Sequence, residues 1–195
     1  MNPEGARDLE LLHALQRGND AAMNQLIDRW EARLFAFAWR STHSPADAQD
    51  VVAETFVRLY QHCTRLRADS NLSAWLYTTL ANLCRNRNRW RHRHPTVSMD
   101  ATGPDGSPLV AAPASETPPI PESLEHKESA TVVAAALDEL PEDLRLAVML
   151  YYFERLSYRE IGEVTGCSER GVETRLYRAR QQLRENLVTH SSLES

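Results

Sequence analysis

The sequence has no apolar run close to the length of about eighteen residues that a membrane-crossing helix needs. Its first residues contain no basic stretch followed by an apolar core, so we expect no secretory signal. The three cysteines are odd in number and widely spaced, which fits neither a disulfide framework nor a paired-cysteine metal site. These absences predict a protein of the reducing cytoplasm without membrane insertion.

Patterns that mark common enzyme active sites are missing too. The sequence contains no glycine-rich phosphate loop, no nucleophile elbow and no paired-carboxylate pattern. Cys84, His92 and His94 lie near one another along the chain, but their spacing fits no recognised zinc site and their neighbours are cationic. We therefore predict no catalytic activity, no metal ion and no cofactor.

The sequence also lacks the alternation of apolar and polar residues that marks a half-buried strand, whereas helical spacing of apolar residues is frequent. Between 95 and 121 the chain carries seven of its ten prolines and few large apolar residues, and such a segment cannot bury enough surface to fold. The sequence predicts an all-α fold of two small helical domains, 1–94 and 129–190, joined by a flexible linker over 95–128.

Local signals set the expected helix boundaries in the first domain. Gly18 ends a short helix, Asp20 can cap a second one, and Ser44 followed by Pro45 is a strong start signal for a third. The helices predicted in this domain cover 9–17, 20–42, 45–61 and 72–92, with a polar loop over 65–71.

The second domain ends in two short helical patterns, after helices expected over 129–140 and from Pro141. Ser157 opens the first pattern with a capping box, Gly166 ends it, and Ser168 can cap the final helix. Two helices that meet at such a turn predict a helix-turn-helix, which places its second helix in the DNA major groove. The residues of the final helix predicted to face the core are Val172, Leu176, Ala179 and Leu183.

The outward face of the final helix carries the residues predicted to contact duplex DNA. Side chains near the start of a recognition helix contact base edges, while arginines on its margins contact phosphates. An ordinary amphipathic surface helix is the alternative, but the capped helix before it and the arginine-rich face favour DNA. The candidate contacts are Arg170, Glu173, Thr174, Arg175, Tyr177 and Arg178.

A second basic face lies near the end of the helix over 72–92. Asn82, Arg85, Asn86 and Arg89 share it by their spacing of three or four residues. Asparagine offers hydrogen bonds to base edges, and arginine neutralises phosphates. A solvated helix end, favoured by the helix macrodipole, explains this segment equally well when it is taken alone.

Acidic and polar residues form one side of the third predicted helix, which is either a solvated face or a docking surface for a basic partner. They are Asp47, Asp50, Glu54 and Gln61. The net charge of −5 is distributed as +3 over 1–94, −5 over 95–130 and −3 over 131–195. This weak overall charge predicts weak sequence-independent DNA affinity, so the protein would need a larger partner to hold it on DNA.

Taken in order, these segments resemble an extracytoplasmic-function RNA polymerase sigma factor, a small bacterial sigma factor with only sigma domains two and four. The resemblance covers nearly the whole chain apart from the linker and the extreme ends. Its strongest parts are D-A-x-D-x-x-x-E-x-F over 47–56, W-L-x(5)-N over 75–82, and S-Y-x-E-I-G with V-E-T-R-L-Y-R-A-R over 157–180.

The resemblance implies a role for each surface. Domain 1–94 would bind the clamp helices of core RNA polymerase and melt the minus-ten promoter element, and domain 129–190 would bind the minus-thirty-five element through the six residues named above. An anti-sigma protein is implied as a further partner. The implied polymerase contacts are Asp47, Asp50, Glu54 and Arg58, and the implied minus-ten contacts are Arg67, Asn71, Asn82, Arg85, Asn86 and Arg89.

Five residues depart from the usual family pattern. Gln49 and Ala53 replace a usual Glu and Gln, so the clamp-facing side is less polar than usual. Glu173 stands where a basic residue is frequent, and a carboxylate there favours a cytosine amino group over phosphate. Gly162 and Gly171 are expected to weaken their helices by up to about 1 kcal/mol each. These departures bear on the promoter sequence more than on the function.

Two other functions stay open at this point. A one-component helix-turn-helix regulator would bind an operator as a dimer and would need a sensor or dimerisation domain at its N-terminus. An anti-sigma or phosphorelay adaptor that mimics sigma domains would not need arginine-rich DNA faces. The basic Asn/Arg helix and the acidic helix favour the sigma factor over both.

Overall fold

Four α-helices and one short turn build the N-terminal unit. The computed structural model describes residues 3–67, 70–94 and 132–193, with side chains described over 5–67, 70–94 and 132–187. The predicted linker over 95–128 lies outside these residues. The elements are α1 (Pro3–Gln16), α2 (Ala21–Thr42), α3 (Pro45–His62), a 3-10 turn (Cys63–Arg65) and α4 (Leu72–Arg93).

Side-chain caps begin two of these helices as the sequence indicates. The Ser44 hydroxyl accepts a hydrogen bond from the Asp47 backbone N–H at 3.3 Å, with Pro45 in the first turn. The Asn71 side chain accepts one from the Ala74 backbone N–H at 3.2 Å at the start of α4. Each cap satisfies a backbone donor that the first turn of a helix leaves without a partner.

Two predictions for this unit are wrong. α1 begins at Pro3 rather than at residue 9, and its early turns are held by the buried Asp8, which accepts a hydrogen bond from Arg29 of α2 at 2.9 Å. Asp20 makes no side-chain cap for α2, because its carboxylate accepts a hydrogen bond from the Tyr60 hydroxyl at 3.2 Å instead. Both errors come from contacts between helices that the local sequence does not reveal.

The core of the N-terminal unit lies between α2 and its three neighbours. The rings of Trp30 and Phe37 pack edge-on against Tyr77 of α4, with centroids 6.0 and 5.4 Å away. Such edge-to-face pairs add to the stabilisation that burial of the rings already provides. The other fully buried large side chains of this core are Leu12, Leu26, Leu34, Leu59, Leu76 and Leu80.

The C-terminal unit is also helical, and the described residues contain no strand, which confirms the all-α prediction. After residue 148 the chain widens into a π-helical turn that the sequence did not predict, and Arg155, just beyond this turn, has a positive φ of 55°. The elements are α5 (132–138), α6 (Glu142–Val148), the π turn (Met149–Phe153), α7 (Tyr158–Thr165) and α8 (Glu169–Leu193).

The predicted helix-turn-helix forms from α7 and α8. Ser157 and Glu160 complete a reciprocal capping box at the start of α7. Gly166 ends α7 in the left-handed region with φ of 68°, and the Ser168 hydroxyl accepts a hydrogen bond from the Gly171 backbone N–H at 3.2 Å. These three boundary predictions are confirmed.

Gly162→Ala is expected to lower the free energy of unfolding, against the direction of helix propensity. A Cβ atom at this position would lie 2.6 Å from the backbone carbonyl oxygen of Cys167, in the turn between α7 and α8. The higher helix propensity of alanine relative to glycine stabilises a helix by up to about 1 kcal/mol, whereas overpacking a tight site destabilises the fold by about 1–3 kcal/mol. The structure thus gives Gly162 a packing role that its departure from the family pattern did not suggest.

Urea unfolding of Gly162→Ala and Gly5→Ala measures this difference. Gly5 lies in α1, where an added Cβ meets no atom within 4 Å, so its replacement is expected to be neutral or stabilising. A Gly162→Ala protein at least as stable as the unchanged protein would contradict the packing role.

The two units pack against each other, chiefly through α4 of the first and α7 of the second. Their buried apolar residues form one continuous cluster that extends from Leu11 in α1 to Ala179 in α8. The faces predicted to bind DNA therefore belong to units that are in contact. The domain boundaries themselves stay a prediction.

Candidate nucleic-acid and polymerase interfaces

The outer face of α8 has the predicted polarity. Val172, Leu176 and Ala179 are fully buried against the core, while Leu183 is half-buried. Tyr177 is 59% exposed, and its hydroxyl accepts a hydrogen bond from the Gln181 side chain at 2.9 Å. The residues that join Tyr177 on the exposed face are Arg170, Glu173, Thr174 and Arg178.

Arg175 differs from the other candidates on α8 because the protein itself engages its guanidinium. Its Nε lies 3.4 Å from a carboxylate oxygen of Asp143, and its Nη1 donates to the Cys167 sulfur at 3.2 Å. Arg175 is half-buried beside the turn of the helix-turn-helix. Two of its three nitrogens, Nε and Nη1, are therefore engaged within the protein.

The Asn/Arg face of α4 is split between exposed and covered residues. Asn82, Asn86 and Arg89 are exposed. Arg85 is half-buried: its Nε donates to Glu142 of α6 at 2.5 Å, and its Nη1 donates to Asn82 at 2.9 Å. The C-terminal unit thus engages part of the surface predicted to bind the minus-ten element.

The loop before α4 holds the two remaining candidates of this surface. Asn71 caps α4 with its side-chain oxygen while its amide nitrogen donates to Glu163 of α7 at 3.3 Å. Arg67 is exposed at the other end of the loop. Residues 68 and 69 of the loop lie outside the described residues.

The acidic side of α3 contains two kinds of residue. Asp47, whose side chain is 16% exposed, pairs with Arg87 and Arg91 of α4 at 3.4 Å each and therefore joins the two helices. Asp50 and Glu54 are exposed; Asp50 pairs with Arg87 at 3.0 Å, and Glu54 pairs with Arg58 one turn along α3 at 2.8 Å. Of the three carboxylates on α3, Asp50 and Glu54 are the exposed ones. The departures at Gln49 and Ala53 lie on the same exposed side.

Sequence reasoning missed Glu154, a buried carboxylate that follows the π turn. It is 6% exposed, accepts a hydrogen bond from the Tyr77 hydroxyl, and lies 3.5 Å from Arg40 and 3.9 Å from Arg33. Burial and the Glu154 carboxylate raise the pKa of Tyr77, so its hydroxyl stays protonated and donates. A lone acid in the apolar run MLYYFERL was the available signal, since buried acids need partners.

Other kinds of site have no support in the described part of the chain. Over residues 3–67, 70–94 and 132–193 there is no group of three or more His, Cys, Asp or Glu side chains that could hold a metal ion. None of the described helices is long and apolar enough to cross a membrane. All three cysteines are free, with Cys63 and Cys84 buried.

A helix-turn-helix with an exposed Tyr- and Arg-bearing helix, joined in one chain to a helical unit with an Asn/Arg face, defines a DNA-binding transcription factor. The family models described as Sigma-70 region 2 and Sigma-70, region 4 match residues 26–94 and 131–183. The chain belongs to the sigma-70 family, as an RNA polymerase sigma factor of the extracytoplasmic-function type.

Two curated relatives match most of the chain. The RNA polymerase sigma-H factor of Pseudomonas aeruginosa is 32% identical over 176 residues, which cover 90% of this chain and 91% of the relative. The ECF RNA polymerase sigma-E factor of Escherichia coli strain K12 is 31% identical over 179 residues, which cover 91% of this chain and 93% of the relative. The chain is thus an alternative sigma factor, which binds core RNA polymerase and directs promoter recognition. No comparison favours the one-component regulator.

Solved structures show the same fold. CnrH, in a complex with the cytosolic domain of CnrY, superposes with a TM-score of 0.71 at 24% identity over 94% of this chain and 98% of that chain. The sigma factor RpoE of Bartonella quintana, in a complex with the anti-sigma factor NepR, superposes with a TM-score of 0.62 at 27% identity. The superposition covers 84% of this chain and 95% of that chain.

Proposed function

We propose that residues 1–94 act as sigma domain two and residues 129–190 as sigma domain four, with α4 binding the minus-ten element and α8 the minus-thirty-five element. The observation that carries this proposal is the exposed polar and aromatic face of α8, presented by a correctly capped helix-turn-helix. Residues 95–128 would connect the two DNA-bound units within the polymerase.

The minus-thirty-five element would be bound as duplex DNA in its major groove. The first three turns of α8 present the candidate base contacts, and a recognition helix enters the groove by this end. Glu173 would accept a hydrogen bond from a cytosine amino group, and Arg178 would donate to a guanine or a phosphate. Arg175 would contact phosphate through its Nη2, which neither Asp143 nor Cys167 engages.

The minus-ten element would be bound as a single strand along α4 and its preceding loop. The exposed Asn82 and Asn86 can donate to and accept from unpaired base edges, and Arg89 can neutralise a phosphate. A base taken out of the stack costs a few kcal/mol, which contacts around Arg67 and Asn71 would offset. Arg85 and Asn71 would first exchange their acidic partners for DNA.

Polymerase binding is proposed for the exposed acids of α3. Asp50 and Glu54 offer carboxylates to basic groups of the clamp helices, and Arg58 positions Glu54 through their ion pair. Asp47 would act mainly within the protein, because Arg87 and Arg91 already engage it.

An anti-sigma protein and a cytoplasmic location complete the proposal. The solved relative from Bartonella quintana is held by an anti-sigma factor, and polymerase and promoter DNA are cytoplasmic partners in bacteria. Three free cysteines agree with a reducing compartment.

A transcription assay tests the function directly. The pure protein is mixed with core polymerase and a promoter library, and transcripts that depend on the added protein are sequenced. Enrichment of paired minus-ten and minus-thirty-five motifs is expected. Binding to duplex operators without polymerase, together with no dependent transcripts, would instead favour a one-component regulator.

Glu173→Gln is expected to weaken discrimination at one base pair of the minus-thirty-five element by about 1–3 kcal/mol, because the amide can donate as well as accept. Overall transcription from a matched promoter pool should change little. Selection from a library randomised over the minus-thirty-five element measures the preference. Glu169→Gln, an exposed acid one turn earlier on the same helix, is the control and should leave the motif unchanged. An identical motif for Glu173→Gln would remove Glu173 from the base contacts.

A further inference from the structure

A side chain from α1 holds the start of the loop that leads into α4. Gln16, the last residue of α1, donates through its Nε2 to the backbone carbonyl oxygens of Cys63 and Leu66, each at 2.9 Å. The amide nitrogen of a glutamine carries two N–H bonds, so one side chain can serve both acceptors. The opposite orientation of this amide would place its oxygen against two carbonyl oxygens, so the contacts determine the orientation.

The two carbonyl groups that Gln16 engages lie at the two ends of the 3-10 turn. The Cys63 carbonyl oxygen also accepts a hydrogen bond from the Leu66 backbone N–H at 3.1 Å, which closes the turn. Carbonyl groups at the end of a helical turn lack partners within the turn and need donors from elsewhere. Gln16 is half-buried and supplies such donors from 47 and 50 residues away in the sequence, so it joins the closed turn to α1.

Further hydrogen bonds continue from this turn to the first turn of α4. The Ser70 backbone N–H donates to the Arg67 carbonyl oxygen at 3.0 Å, and the Asn71 side chain caps α4. The Leu66 carbonyl belongs to the same planar peptide unit as the Arg67 N–H, so the contact with Gln16 also fixes the direction in which the chain enters Arg67. The segment that carries two of the proposed minus-ten contacts is thus held at both ends.

We propose that Gln16 is a positioning residue for minus-ten recognition: it holds the start of the loop so that Arg67 and Asn71 meet an unpaired base in one geometry. The proposal rests on the proposed binding of the minus-ten strand by this loop and α4. Hydrogen bonds to a base weaken steeply when donor and acceptor lose alignment, so contacts made from a loop depend on the side chains that fix the loop. Gln16 acts through the backbone that it holds and not through a contact with DNA.

Gln16→Leu tests the proposal, because leucine removes both donors without adding a charge. The matched control is Gln25→Leu, the same change at an exposed position of α2 whose side chain accepts a hydrogen bond from Arg7 at 3.2 Å. Each full-length protein is mixed with core polymerase and a promoter library randomised over both elements, and transcripts that depend on the added protein are sequenced. One selection therefore measures the base preferences at the minus-ten and the minus-thirty-five elements together.

Gln16→Leu should reduce the preference for the best base at one minus-ten position about tenfold and leave the minus-thirty-five preference unchanged. A purely structural role of Gln16 gives another result, because a loss of folded protein lowers transcription from all promoters equally and changes neither preference. Gln25→Leu should keep both preferences. An unchanged minus-ten preference in Gln16→Leu, or equal relaxation at both elements, would overturn the proposal.

Gln16→Glu tests the same contact with a side chain of the same shape. A carboxylate has no N–H bond and would place oxygens against the carbonyl oxygens of Cys63 and Leu66, so this variant should relax the minus-ten preference as well. A preserved preference in Gln16→Glu would overturn the proposal even if Gln16→Leu fails to fold. Circular dichroism verifies that each variant keeps its helices.

Asn82→Ala/Asn86→Ala separates this inference from the proposed function, because both residues are exposed on α4 and are proposed to contact the bases directly. If this double variant relaxes the minus-ten preference while the Gln16 variants do not, the positioning role alone is overturned. If neither the double variant nor the Gln16 variants change the preference, the proposed minus-ten surface and the positioning role are both overturned.

Discussion

Asp50→Arg is expected to weaken binding of the protein to core RNA polymerase by about 100-fold. Asp50 is 65% exposed on α3 and is one of two carboxylates there that face outward. Reversing a charge at an interface replaces attraction with repulsion, and losing one partner of a close charge pair costs about 2–5 kcal/mol. Stability should fall by no more than about 1 kcal/mol, because the exposed pair with Arg87 contributes little.

Fluorescence anisotropy of labelled protein titrated with core polymerase measures this effect. Glu31→Arg, the same reversal on the exposed side of α2, is the control and should bind as the unchanged protein does. Asp47→Arg makes a useful contrast, because Asp47 is little exposed and pairs with two arginines. This variant should lose more folding stability than affinity for polymerase. Affinity of Asp50→Arg within threefold of the unchanged protein would remove Asp50 from the polymerase interface.

Leu176→Ala is expected to lower the free energy of unfolding of the C-terminal unit by about 3 kcal/mol. Leu176 is fully buried where α8 packs on the rest of its unit, and truncating a buried leucine removes apolar contacts and leaves a cavity. A loss of this size is a large share of the stability of a small helical unit. Transcription from promoters that depend on the minus-thirty-five element should decrease as the C-terminal unit loses stability.

Thermal unfolding followed by circular dichroism, together with the promoter assay, measures both consequences. Leu183→Ala on the same helix is the matched control. Because Leu183 is only half-buried, this change should lower the free energy of unfolding by about 1 kcal/mol. Equal losses for the two variants would mean that α8 is not anchored at Leu176.

Helix boundaries were predictable wherever residues within four positions of each other determine them. Ser44 with Asp47, and Ser157 with Glu160, form their caps within one turn, and the left-handed Gly166 follows from the same local chemistry. The arc of α8 that faces the core was predictable for a similar reason, because a helix repeats its direction every 3.6 residues.

Contacts between distant helices were not predictable from those patterns. Asp20 has the chemistry of a cap, but Tyr60 competes for its carboxylate from forty residues away. Helix propensity predicts that Gly162 weakens α7, but the carbonyl oxygen of Cys167 lies too close to Gly162 for a Cβ atom to fit. The π turn over Met149–Phe153 likewise breaks the 3.6-residue period without a proline or glycine to mark it.

The sequence predicts which residues share each candidate surface. It does not predict which of these residues are already in contact with other parts of the protein. The exposure of Tyr177 and Arg178 follows from helical spacing, whereas the pairing of Arg85 with Glu142 depends on how two units meet. More than thirty residues separate the two units along the sequence, so spacing alone does not determine how the units meet. The DNA and polymerase roles of these residues stay predictions.

The contact between the two units combines charges that differ in their access to dissolved ions. The Arg85 and Glu142 side chains are 31% and 51% exposed, whereas the Glu154 side chain is 4% exposed. Dissolved ions screen exposed charges strongly and buried pairs much less. Rising ionic strength should therefore weaken the pair of Arg85 with Glu142 well before it weakens the contacts of Glu154.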